Sequence, residues 1–139
     1  MLRSLLAGFS LLIFQHSVSA SPFPLTLIET FDDDRVVIYA SESDINNAPD
    51  WQPAEGAPPL SVKKLIDDIN NWRTRNPEFR DATISEFELK PIRNHEKQHR
   101  WYYLVQMKNA GSSKADEHYL AVLMNGKVLP AIKEPAAYK

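Results

Sequence analysis

The 139-residue chain contains no cysteine. That excludes disulfides, thiolate nucleophiles, cysteine-ligated metals and a lipid anchor on an N-terminal cysteine. Glycine is scarce, with four residues in all. None of them builds a Gly-x-Ser-x-Gly elbow, a phosphate-cradling loop or a dinucleotide fingerprint, so the motifs of serine hydrolases, P-loop enzymes and Rossmann enzymes are missing. An excess of either charge is missing too. Lys plus Arg total 16 against 18 Asp plus Glu, a formal charge of −2, which offers nucleic acid no electrostatic footprint. There is no Asn-x-Ser/Thr acceptor, and no apolar run approaches the roughly 20 residues a membrane-spanning helix needs.

The longest apolar run, Leu5 to Phe14, follows the basic Arg3 and leads to the small residues Val18, Ser19 and Ala20. A basic start, a short apolar middle and a small-residue end are the plan of a secretory signal peptide over residues 1–20, removed after Ala20. Loss of Arg3 takes the formal charge from −2 to −3. The expected mature chain, 21–139, is a single secreted or periplasmic domain without a membrane span. Lacking disulfides, it must be held by packing.

Within it, "PLTLIETFDDDRVVIYA" (24–40) reads as a hairpin with Asp32, Asp33 and Asp34 in its turn. The three aspartates lack the alternating ligands and distal Glu of a calcium loop. Residues 48–60, "APDWQPAEGAPPL", hold four of the ten prolines and form a proline-rich loop anchored by Trp51. In "SVKKLIDDINNWRT" the residues Val62, Leu65, Ile66, Ile69 and Trp72 make one apolar stripe of 3.6-residue period, with Ser61 as N-cap, Leu60 as staple against Leu65, and Pro77 as stop. Three strands follow, at 83–92, 100–108 and 118–124, the last apolar on both faces and therefore central. Asn125-Gly126 predicts a two-residue type I′ turn into a return strand over 127–132. Pro130, unable to donate to a ladder, marks that return strand as an edge. The fold class expected is α+β: one amphipathic helix on a mostly antiparallel sheet of about four to five strands, after an N-terminal hairpin.

"HEKQH", residues 95–99, matches the His-Glu-x-x-His pattern in which two histidines one helical turn apart bind zinc and Glu activates water. His118 is the candidate third ligand, which frames a zinc-dependent hydrolase as the alternative reading. Its surroundings oppose a catalytic helix, because no apolar residue lies between Ile92 and Trp101 to give such a helix a packing face. Of the aromatic run Trp101, Tyr102 and Tyr103, the strand period sends Tyr102 to the face opposite its neighbours. Tyr102 and Trp51 are thus the partner-binding candidates.

"GAPPLSVKKLIDDINNW", "RWYYLVQM" and "YLAVLMNGKVLP" in that order resemble small secreted bacterial proteins of the PepSY-like type, over about residues 51–130. The resemblance implies a helix followed by an antiparallel sheet, no catalytic residue, no cofactor, and a module that binds or restrains a protein partner such as a peptidase. The expected function is an exported, non-enzymatic binding module for a protein or peptide. A structural envelope protein that self-associates through a sheet edge is the further alternative.

Overall fold

The computed structural model describes residues 25–31, 34–111 and 117–135. The signal segment, Asp32 and Asp33 lie outside them. The elements are β1 (Leu25–Phe31), β2 (Asp34–Ala40), α1 (Glu42–Asn47), α2 (Val62–Arg73), β3 (Ala82–Pro91), β4 (Trp101–Asn109), β5 (Glu117–Leu123) and β6 (Val128–Pro135). All six strands form one antiparallel sheet in the order β1-β2-β6-β5-β4-β3. The α+β class expected from the sequence is what the chain adopts. The sheet is larger than expected because the N-terminal hairpin joins it, with β2 pairing along β6 from Ile38↔Ala131 to Asp34↔Pro135.

Helix α2 forms where its stripe predicts. The Ser61 hydroxyl accepts the Lys64 amide at 3.2 Å, and Leu60 and Leu65 are both buried beside the cap. Leu65 and Ile69 enter the core, whereas Val62 and Ile66 at the margin of the stripe stay exposed. Lys63–Asp67 pairs at i,i+4 on the exposed face, and Lys64–Asp68 pairs at i,i+4 with Asp68 turned toward Gly126. Helix α1 has its own sequence signal, Ser41-x-x-Asp44. The Ser41 hydroxyl accepts the Asp44 amide at 3.0 Å while the Asp44 carboxylate accepts the Ser41 amide at 3.3 Å, a capping box.

Two expectations about the last hairpin are corrected. The loop has three residues, not two. The Gly126 amide bonds the Leu123 carbonyl at 2.8 Å, the Leu123 amide bonds the Lys127 carbonyl at 3.0 Å, and Val122 faces Val128. Gly126 sits at φ 87° while Asn125 is not among the residues with positive φ. This is the pattern of a type I turn followed by a left-handed residue that forms a bulge, and Gly126 supplies that residue. Nor is β6 an edge strand, since it lies between β5 and β2. Its pairing with β5 ends at Leu120↔Pro130 and its pairing with β2 begins at Ile38↔Ala131, so the proline occupies the handover between two ladders.

Candidate functional site

The "HEKQH" segment does not form a zinc-binding helix. Glu96–Gln98 is a single 3-10 turn, and His99 has left-handed φ 53° and ψ 41°. The chain reverses there, and His95 and His99 are not stacked one α-helical turn apart. His118 instead lies with its ring centroid 5.0 Å from Phe79, which packs in turn on Trp72 at 4.7 Å. Among the described residues no group of three His, Asp or Glu converges as a metal site requires. The segment serves to join two loops. The Trp51 amide bonds the His99 carbonyl at 3.0 Å, Arg100 Nη1 donates to the Ala48 carbonyl, and the Trp51 ring meets Trp101 edge-on at 5.4 Å.

Trp51 is thereby 7% exposed, and Tyr102 on β4 only 2%. Neither ring offers contact area to a partner in this conformation. On the same face as Tyr102, however, the strands build a second arrangement. The β4–β5 register sets Gln106 opposite Tyr119 and Lys108 opposite Glu117. On the other side of β4, Glu86 stands opposite Gln106 and Glu88 opposite Leu104.

A β-bulge makes this possible. Ile84 pairs with Met107, but Glu86 already pairs with Gln106, so Ser85 is the extra residue. Because side chains alternate between faces, one inserted residue exchanges the faces of everything after it. Without Ser85 in that place, Phe87 and Leu89 would share the face of Leu104 and Gln106. With it, they join Tyr103 and Val105, and Phe87 meets the Tyr103 ring at 6.0 Å. Glu86 and Glu88 instead border a cavity of about 260 Å³ with Leu104, Gln106 and Tyr119.

The far wall of the cavity is held by Glu117, the one buried charged residue among those described, at 9% exposure. Its carboxylate accepts from Lys108 Nζ at 3.0 Å, from Gln106 Nε2 at 2.7 Å and from the Tyr119 hydroxyl at 3.1 Å. Gln106 Nε2 also donates to the Tyr119 oxygen at 3.2 Å. The hydrogen bond from Lys108 holds the Glu117 carboxyl below the ordinary range against the opposing effect of burial, and Gln106 and Tyr119 add to the lowering. A carboxylate kept ionised and fully bonded fixes the Gln106 amide and the Tyr119 ring. The cavity is therefore a preset shape with an apolar floor at Leu104 and carboxylates at its rim. It suits a ligand with hydrogen-bond donors, and the described residues that line it set up no nucleophile–base pair.

The sequence marks Glu86 and Glu88 as the wet side of a strand and gives no sign of Glu117. The register that unites them depends on the bulge and on the connection between β4 and β5, neither of which has a local signature. No family model, curated protein or solved structure matches the chain.

Proposed function

We propose that the protein is an exported, non-enzymatic binding module that takes a donor-rich group of a protein or peptide partner into the cavity on the β3–β5 face. The observation that carries this reading is the cavity between Glu86, Glu88, Leu104, Gln106 and Tyr119, one wall of which is immobilised by the Glu117 network. A lysine, an arginine or an N-terminal amine has the donors to meet Glu86 and Glu88, and an aliphatic stem to lie on Leu104. The apolar run at 5–14 and the small residues at 18–20 support export to a periplasm or medium. The PepSY-like order of helix and strands supports a module that restrains a peptidase. Among the described residues no helix is long and apolar enough to cross a membrane.

The test is capture from the native secretome with immobilised protein, in parallel with a Glu86→Arg variant of equal thermal stability. The expected outcome is a partner retained by the natural protein and lost with Glu86→Arg. A partner that binds both alike, or none at all, removes the cavity as the binding site.

A further inference from the structure

The outer edge of β3 has a self-complementary stretch. β3 ends the sheet, and among the described residues no strand pairs with its outer side. The Ile92 amide donates to the Arg100 carbonyl at 2.8 Å. In an antiparallel ladder the backbone groups alternate in direction, so Glu88 and Lys90 point theirs toward β4. Phe87 and Leu89 therefore turn both N–H and C=O outward, and Pro91 turns its carbonyl outward. The bulge at Ser85 closes this stretch on one side and the proline closes it on the other. What remains is 87–91, an odd-numbered window centred on Leu89.

We propose that this window pairs antiparallel with the same window of a second copy of the chain, about a two-fold axis at Leu89. In that register the two Leu89 residues exchange N–H···O bonds, and each Phe87 amide meets the other copy's Pro91 carbonyl. The side chains fit on both faces. On the face that carries Tyr103, Phe87 stands opposite Pro91 and Leu89 opposite Leu89, which covers a phenyl ring left 39% exposed in the single chain. On the cavity face Glu88 stands opposite Lys90, twice by symmetry. These two residues already approach each other at 3.7 Å within one strand, and the pairing brings each against the opposite charge of the other copy.

A register displaced by one residue puts Phe87 opposite Lys90 and Glu88 opposite Leu89. One displaced by two centres on Glu88 or Lys90 and opposes like charges. Cross-strand pairs of opposite charge and of apolar groups are the units that stabilise a sheet, and like charges face to face oppose it. The register centred on Leu89 is the one that satisfies both faces. The axis is isologous and perpendicular to the sheet, so the two cavities open on one side of a continuous sheet. Glu88 is shared with the rim of the proposed cavity, so the partner is tested at Glu86, which the pairing does not use, and the pairing is tested by self-association alone.

The test is sedimentation equilibrium of the protein produced from the full chain, over about 10 to 500 µM, a span that brackets weak association. Glu88→Lys, Lys90→Glu and the double exchange E88K/K90E are run alongside, with thermal unfolding to establish that each is folded. The expected result is a concentration-dependent dimer that either single reversal weakens about tenfold or more. The double exchange restores it. Added salt weakens the natural protein and the double exchange alike. A protein monomeric throughout, a dimer indifferent to single reversals, or a double exchange that fails to restore association each overturns the pairing. A monomer that binds an extended peptide along β3 overturns it also, in favour of a heterologous strand.

Discussion

Two hairpins of the same sheet, β3–β4 and β5–β6, each carry a proline in one arm, and the prolines have opposite meanings. Pro91 closes an edge strand, at the end of the stretch whose backbone turns outward. Pro130 lies inside the sheet, on a strand with neighbours on both sides. The tips differ as well. The β3–β4 tip docks on the proline-rich loop through Trp51 and Arg100, whereas the β5–β6 tip is clasped by both helices. Lys127 pairs with Asp44 of α1, and Gly126 lies against Asp68 of α2. The comparison teaches that a proline reports where a donor is not needed, and that this can occur wherever one ladder hands over to another.

The clasp at Gly126 should give the largest response. A Cβ there would collide with the Asp68 carboxylate, and φ 87° disfavours any L-residue. Gly111 also has positive φ, 74°, but open space around it. Gly111→Ala therefore isolates the backbone cost, about 1–2 kcal/mol, and Gly126→Ala adds about 1 kcal/mol for moving Asp68 away from Lys64. Urea midpoints of both variants check this, and Asp68→Ala in the Gly126→Ala background should recover the added part. Equal losses at the two glycines would sink the clasp.

Next in size is Tyr103→Phe. The Tyr103 hydroxyl donates to the buried Leu60 carbonyl at 3.1 Å and so ties β4 to the start of α2. Removing it leaves that carbonyl unpaired, for an expected loss of about 1–2 kcal/mol. The exposed Ser85→Ala change, in the bulge of the same β3–β4 hairpin, should stay within about 0.5 kcal/mol.

Smaller than the Tyr103 loss is the acid response of the Glu117 network. Its carboxyl titrates lower in the folded chain than in the unfolded one. The stability it contributes is complete above the unfolded value of about 4.3 and is lost as pH falls through the folded value. Lys108→Met removes the first cause of the lowering, so the stability difference between this variant and the natural protein should shrink as pH falls below about 4. With Lys108 nearly half exposed, the neutral-pH difference is expected below about 1 kcal/mol. A difference constant from pH 7 to pH 3 in denaturant titrations would remove Lys108 from that role.

What was legible in the sequence was whatever depended on neighbours along the chain. The period of Leu65 and Ile69, the Ser61 cap and the doubly apolar β5 each carry their signal within a few residues. The Ser41-x-x-Asp44 box was equally local and could have placed α1. The cavity was not legible, because Glu86, Gln106 and Glu117 meet only through two registers and a bulge at a residue as ordinary as Ser85. "HEKQH" failed in the opposite direction, as a pattern complete in sequence whose chain bends at His99. Tyr102 was assigned correctly to the face opposite Trp101 and Tyr103, but that face is closed where Tyr102 sits and open only from Gln106 onward.

A further small effect is expected at Pro130, and it bears on the comparison directly. The bond from the Leu123 amide to the Lys127 carbonyl sets which β6 residues face β5. By alternation Leu129 bonds toward Ala121, and residue 130 points its backbone toward β2. Pairing with β2 begins one residue later, at Ala131, although β2 itself runs on to Ala40 and its register sets Tyr39 opposite residue 130. If the two ladders hand over at this residue, Pro130→Ala gains no strand hydrogen bond to Tyr39. It gives the unfolded chain more freedom, a loss of about 0.4–1 kcal/mol. A Pro130→Ala variant more stable than the natural protein, with a newly protected amide at 130 in hydrogen exchange, would mean that the β2–β6 ladder continues past Ile38 to Tyr39. In that case the proline would interrupt a ladder, and the handover account of β6 would fail.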